Sequence, residues 1–306
     1  MVNTLDMSGS ATARLGAIEA GGTKIICAVG TVDGAILRRE RISTGDPAVT
    51  IAHIVEFFAS EQDLAAVGIG TFAPADVSPD SPTYGHITDT PKPGWRNVDL
   101  RGPIARATGV PVAFDTDVNA AALGEAIGGA GIGCSSLVYI TVGTGIGGGI
   151  VVDGQTVNGM MHPEIGHTLI AIDTDRDRYR GHCPYHGRCL EGMAAGPAIA
   201  ERWGAAAEQL PPDHPAWELE TEYLAQLVVN LALTLAPHRV ILGGGVMQQR
   251  FLFPLIRDRG HRLLAGYVRP LSERSAWDAW LVPPGLGNNS GVRGALALAA
   301  GAAGLR

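Results

Sequence analysis

Four side chains, His167, Cys183, His186 and Cys189, fall in the pattern H-x15-C-x2-H-x2-C. Thiolates and imidazoles are the ligands zinc takes, and the short spacings close a small loop. Four protein ligands leave no open coordination position, so the pattern predicts structural zinc. A DNA-reading zinc finger would want a longer gap and a basic helix, and AAGPAIAERW supplies neither. Clamping this loop would also fix Glu164, three residues before His167, and Glu191, two after Cys189, near one pocket. Carboxylates accept paired hydrogen bonds from neighbouring hydroxyls. A helix-start charge is the plainer reading of Glu191. Upstream, Asp115 and Asp117 stand between the apolar run VPVAF and an Ala-rich stretch. Two residues apart in a strand, both face one side, so spacing does not choose between them as a proton acceptor. Asp117 could instead cap the helix that follows.

Three glycine turns could hold phosphate: Gly21-Gly22-Thr23, Gly143-Thr144-Gly145-Ile146-Gly147-Gly148 and Gly243-Gly244-Gly245. Without a Cβ, backbone N–H groups can approach an anion, and Thr adds a hydroxyl donor. The second turn matches G-x-G-x-x-G, but that fingerprint must open a helix, and here GIVVDGQTV reads as a strand. No G-x-x-x-x-G-K-[ST] occurs. A pair of β-hairpins pinching phosphates is the arrangement expected.

The elements that must carry these groups come in two sets. Residues 15–42 run apolar stretch, Gly-Gly turn, apolar stretch, Asp33-Gly34, strand; residues 137–157 repeat that order with Asp153-Gly154. Asp-Gly between β-rich flanks is a hairpin signal. The repetition predicts two related α/β halves. Helical spacing is expected over 47–64, 118–128, 221–236 and 290–305, and strands at AAVGIGTFAP and RVILGGGV. The segments 173–188 and 268–285 read as loop-like. The division expected is a loose tail over 1–13, an N-terminal domain of 14–117 plus 289–306, and a C-terminal domain of 118–288. The chain has 42 glycines in 306 residues without a G-X-Y period, and 46% apolar residues, which excludes collagen and disorder. A net charge of −7 disfavours nucleic acid, and no apolar run approaches the ~18 residues of a membrane helix. Cys27 and Cys134 read as buried fillers, and a cytoplasmic location is expected.

EAGGTK (19–24), DTDVNAAALGE (115–125), TVGTGIGGG (141–149), HPEIGH (162–167), CPYHGRCLEG (183–192) and ILGGGV (241–246) stand in the order of the ROK sugar kinases, which the chain resembles from about Gly16 to Leu305. Residues 68–95 resemble the fructokinase branch. The resemblance implies an α/β fold of two related actin-like ATPase (ribonuclease H-like) domains flanking a cleft, and transfer of a phosphoryl group from ATP to fructose with Mg²⁺. It chooses Asp117 as general base. It implies that Glu164 and His167 hold the sugar, that Asn119 is a sugar or a structural contact and that Glu191 fits a further sugar contact, with Tyr84, Thr90, Lys92 and Trp95 as candidates for covering its other end. It assigns ATP to Gly21, Gly22, Thr23, Lys24, Gly143, Thr144, Gly145, Gly147, Gly148, Gly196, Pro197, Gly243, Gly244 and Gly245. Thr116 replaces the more usual Asn, which would remove an amide donor from the pocket, and Glu19 replaces the usual Asp. A homodimer is expected. Alternatives within the family are a glucose or mannose kinase and a sugar-sensing repressor; repressors carry an added DNA-binding module, and about 15 residues before the first strand are too few for one.

Overall fold

The structure, a computed structural model, describes residues 13–305; the tail expected over 1–13 lies, save residue 13, outside the described residues. In chain order the elements are β1 (Arg14–Ala20), β2 (Lys24–Thr31), β3 (Ile36–Ser43), α1 (Pro47–Ala59), β4 (Leu64–Thr71), β5 (His86–Ile87), β6 (Val98–Asp99), α2 (Arg101–Thr108), β7 (Val112–Thr116) and α3 (Asp117–Gly128). There follow β8 (Ser136–Val142), β9 (Ile146–Val152), β10 (Gln155–Thr156), α4 (Leu190–Ala194), α5 (Gly196–Trp203), α6 (Ala216–Thr234), β11 (Arg239–Gly243), α7 (Leu252–Leu264), α8 (Ala276–Trp280), β12 (Leu281–Val282) and α9 (Ser290–Ala302). The segment 268–285, expected as turns, thus contains a short helix and strand.

The described residues form two compact units: 13–132, 154–162 and 288–305, and 133–153 and 163–287. The first unit's sheet runs β3-β2-β1-β4-β7, with β1–β2 and β2–β3 antiparallel and β1–β4 and β4–β7 parallel. β1 and β2 are almost continuously buried, as a sheet covered on both faces requires. One face packs Ile18, Ile25 and Ile69 with Ile54, Phe58 and Ile104 from α1 and α2. The other packs Leu15, Ala17 and Ile26 against Val292, Leu296 and Ala299 of α9. β3, at the edge, exposes Arg38, Arg39, Glu40 and Arg41; charge on an edge strand blocks further pairing.

In this unit α3 lies against α9 at glycines. A Cβ on Gly294 would stand 1.6 Å from the Ala120 carbonyl oxygen, and one on Gly124 2.3 Å from that of Ser290. This packing places α3 in the first unit, so the compact boundary falls after Ile132 and not at Asp117 as the division above has it.

The second unit's sheet contains β9-β8-β11-β12. β8–β9 is antiparallel, and β8–β11 and β11–β12 are parallel. This repeats β2-β1-β4-β7 strand for strand, so the duplication legible in the sequence is one of topology. Its core includes Val138, Ile140, Trp217, Leu227, Leu242 and Trp277. At the Asp-Gly turn after β9, Asp153 has φ 49° and Gly154 φ 77°, the paired left-handed conformation of a type I′ hairpin.

Candidate active site

In the first unit, Asp115 ends a buried strand and Asp117 begins a helix. Asp115 is 4% exposed. Its Oδ1 accepts hydrogen bonds from the Thr116 N–H (2.8 Å) and from Asn119 Nδ2 (2.7 Å), and its Oδ2 accepts one from Thr156 Oγ1 (2.7 Å). Burial raises its carboxyl above the usual range, against the pull of the Asn119 and Thr156 hydrogen bonds. Asp117 is part-exposed, and its Oδ1 accepts from the Val118 N–H at 2.9 Å. The cap of α3 is Thr116, whose Oγ1 accepts from the Asn119 N–H at 3.2 Å. Capping is therefore not what Asp117 is there for, and Thr116, 1% exposed, is engaged with the helix.

Gly21 closes the β1–β2 turn, its N–H donating to the Lys24 carbonyl (2.9 Å), and leaves Gly22, Thr23 and Lys24 exposed. Behind this turn Glu19 is raised by burial, opposed by the charges of Lys24 and Arg39 and by the Val292 N–H. Tyr84 donates to the Phe114 carbonyl (3.4 Å) and accepts from the Phe114 N–H (3.0 Å), so its hydroxyl pins β7 just before Asp115. Thr90 accepts from the Lys92 N–H (3.3 Å), and Lys92 is half-buried. Trp95 is fully buried, donates from Nε1 to the Gly45 carbonyl (2.9 Å) and packs edge-on to Phe72; it belongs to the core.

In the second unit, the ligand atoms of His167, Cys183, His186 and Cys189 all lie within 4.8 Å of one another. Cys183 Sγ is 3.7 Å from His167 Nδ1 and 3.6 Å from His186 Nδ1, and Cys189 Sγ is 3.5 Å from His167 Nδ1. Bonds of about 2.0–2.3 Å to a tetrahedral zinc put neighbouring ligand atoms roughly 3.3–3.8 Å apart, so these contacts fit that ion. His167 turns Nδ1 to the cluster, and its Nε2 stands 3.9 Å from Glu191 Oε1. The other Glu191 oxygen accepts from the Ile146 N–H at 2.8 Å. Glu191 thereby ties the zinc-type loop to the glycine turn between β8 and β9, a link the sequence hid because 45 residues separate the partners. Burial, and then the Glu191 charge, raise Glu164 to about 7.

That turn needs its glycines for different reasons. Gly145 has no room, since a Cβ there would stand 2.6 Å from Glu191 Oε2. Gly143 is met by Gly196, whose N–H donates to the Gly143 carbonyl at 2.7 Å, with Pro197 opening α5 beside it. Thr144 is exposed, and Gly147 lies half-buried in β9. Gly148 is buried between Ile165 and Ile140, a packing position. Gly243 is likewise packed, against Pro284, while Gly244 takes φ 96° and Gly245 is exposed. Of the other cysteines, Cys27 is buried, with its thiol raised to about 12 by burial, and Cys134 is only part-buried. Sequence reasoning missed Thr156 and Asn158, which lie just past Asp153-Gly154 and reach Asp115 and Asn119. It also missed His162, whose Nε2 accepts from the Ala75 N–H at 3.2 Å.

Two topologically equivalent α/β units, each with an exposed glycine hairpin between its first two strands, define the actin-like ATPase and sugar kinase class. The chain belongs to the ROK family, which it matches over residues 15–302. It is 44% identical over 285 residues to a fructokinase from Pediococcus pentosaceus, covering 93% of this chain and 97% of that protein. It is 41% identical over 292 residues to a fructokinase from Zymomonas mobilis, covering 93% and 95%. Among solved structures, a ROK family glucokinase from Streptomyces griseus in complex with glucose and AMPPNP superposes with a TM-score of 0.71 at 26% identity, covering 94% of this chain and 98% of that one. No helix among the described residues is long and apolar enough to cross a membrane.

Proposed function

We propose that this protein is an ATP-dependent fructokinase, transferring the γ-phosphoryl group of ATP to the 6-hydroxyl of fructose. Identity above 40% to fructokinases along nearly the whole chain carries the substrate assignment. Asp117 is the general base. Of the two carboxylates, Asp115 has both oxygens occupied by donors of its own unit, whereas Asp117 stands part-exposed at the start of α3. The positive end of the helix favours its anionic form. The hydroxyl proton passes to Asp117 as the sugar oxygen attacks phosphorus; the leaving ADP carries the bridging electron pair. Phosphoryl transfer asks the protein mainly for positioning and charge stabilisation. Mg²⁺ supplies part of that charge when ATP is bound. Gly21 to Lys24, Gly143 to Gly145 and Gly244-Gly245 offer backbone N–H groups and a lysine for the nucleotide, and Gly196-Pro197 braces the second turn, the Gly196 N–H being held by the Gly143 carbonyl. Glu164, His167 and Glu191 accept or donate to sugar hydroxyls. His167, Cys183, His186 and Cys189 hold a structural zinc. Tyr84 acts indirectly, by holding β7. The location proposed is cytoplasmic and the assembly a homodimer.

Glucose is the rival substrate, favoured by the Streptomyces griseus complex. An ADP-coupled assay across fructose, glucose and mannose separates them. Fructose is expected to be preferred at least about tenfold in kcat/KM, roughly 1.4 kcal/mol at the transition state. Equal or faster glucose turnover overturns the fructokinase reading.

A further inference from the structure

Among the described residues of the first unit, three buried side-chain oxygens have no hydrogen-bond partner: Glu19 Oε2, Thr71 Oγ1 and Asn119 Oδ1. They share one edge. β1, β4 and β7 are adjacent and parallel; Ala20 pairs with Thr71, and Thr71 with Thr116. Glu19 is next to last in β1, Thr71 ends β4, and Asn119 lies three residues beyond the end of β7. The carboxyl edge of parallel strands is where such sheets bind ligands. A buried oxygen left without a donor costs about 1–3 kcal/mol, so each awaits one.

Asn119 is the informative member, because its orientation is fixed. Asp115 ends in a carboxylate that carries no donor, so the Asn119 atom 2.7 Å from Asp115 Oδ1 must be the nitrogen. The second hydrogen of that nitrogen goes to Asn158 Oδ1 at 3.1 Å. With both N–H bonds committed the amide cannot flip, and its oxygen can only accept. Asp115 is itself held from two sides, by the Thr116 N–H and by Thr156.

We propose that Asp115 is a positioning residue: acting through Asn119, it fixes a hydrogen-bond acceptor, Asn119 Oδ1, for one hydroxyl of the sugar. This rests on the sugar kinase reading above. It separates the two aspartates into a pair, Asp117 for the proton of the reacting hydroxyl and Asp115 for the aim of the amide that receives another.

The test is steady-state kinetics of Asn119→Ala, Asp115→Ala, their double variant, Asp115→Asn and Thr156→Val, with whichever hexose the wild type phosphorylates. Asn119→Ala and Asp115→Ala should each raise the sugar KM about tenfold or more, leaving the ATP KM within about twofold. The double variant should be no worse than Asn119→Ala alone, because Asp115 works through Asn119. Asp115→Asn, whose amide oxygen still accepts from Asn119, should recover most of the loss. Thr156→Val removes only the outer support from a part-buried position; it should raise the sugar KM about threefold and decides the matter if the alanine variants do not fold. Sugar KM within twofold of wild type in folded Asn119→Ala or Thr156→Val overturns the inference, as does an equal rise in the ATP KM. Those results with an active wild type leave the kinase reading standing. A wild type that phosphorylates no hexose removes both.

Discussion

Asp115 and Asp117 are chemically identical and two residues apart, yet their surroundings differ. Asp115 is buried and already holds three donors of its own unit, whereas Asp117, part-exposed at the start of α3, is the one we propose receives the substrate proton. Asp117→Asn is nearly isosteric and keeps the oxygen that accepts from the Val118 N–H, so folding and melting temperature should be unchanged. Loss of the proton acceptor should lower kcat by about 10²–10⁴; a variant retaining more than a tenth of wild-type kcat would show the base lies elsewhere. The zinc site proposed at His167, Cys183, His186 and Cys189 permits an equally direct trial. Elemental analysis should find one zinc per chain, and Cys183→Ser should lose it. A closed ligand set returns its binding energy as folding energy; a loss of about 3 kcal/mol lowers Tm by roughly 5–10 °C. Metal-free protein with unchanged melting and full activity would exclude the site. The clustering of His167, Cys183, His186 and Cys189 was legible because three of the four lie at short spacings in one loop. The Asp115–Asn119–Asn158–Thr156 network was not, because its halves lie about 40 residues apart and meet only when the segment after Asp153-Gly154 folds back.

At the scale of elements, strands and turns were the readable part. Gly-Gly and Asp-Gly between apolar runs marked hairpins, and β9 following G-x-G-x-x-G excluded a dinucleotide fold. What single residues do inside those elements was less readable. Trp95 looked like a pocket aromatic but fills the core, and Gly148 looked like a phosphate contact but makes room for two isoleucines. Neither burial nor close approach is encoded locally. The same holds for the small residues of α3 and α9, which read only as helix with close neighbours. Gly294 stands where a methyl group would come 1.6 Å from the Ala120 carbonyl, a backbone atom that no side-chain rotation can clear. Gly294→Ala should therefore wedge the helices apart at a cost of about 3 kcal/mol, the upper end of overpacking penalties. Because α3 begins with Asp117, the displacement should also lower kcat, given that misplacement by about 1 Å can cost 10². Urea melts and kcat on one preparation test both effects. Gly45→Ala, where an added Cβ meets nothing within 4 Å, is the control and should stay within about 0.5 kcal/mol. Equal stability of the two variants would refute the packing argument.

Across the whole molecule, one topology occurs twice, and both units bury carboxyl groups within apolar cores. The first covers its sheet on both faces with apolar helices. In the second, Arg202 pairs with the buried Asp177 at 3.1 Å, Tyr223 donates to the same carboxylate at 2.5 Å, and Arg188 donates to the Asp177 carbonyl. Glu220 on α6 lies in this region at 2% exposure, with Oε1 lacking a hydrogen-bond partner among the described residues. Burial holds its carboxyl well above the ordinary 4.5, outweighing the attraction of Arg202. The consequence for stability has a definite sign. Below about 4.5 both folded and unfolded chains keep this proton, and burial of the group carries no ionic penalty. As pH rises past that value the unfolded chain releases the proton first, so the folded state is progressively disfavoured until its own, higher pKa is passed. The slope for one proton is at most about 1.4 kcal/mol per pH unit. Glu220→Gln removes the titration while keeping a similar volume. The variant should therefore gain stability over wild type as pH increases from 5 to 8, with the difference shrinking toward pH 5. Contributions common to both proteins cancel, so the difference between paired denaturant melts is the quantity to follow. A difference that is flat with pH, or that grows toward acid, would mean that Glu220 is ionised in the folded protein with Arg202 as its partner.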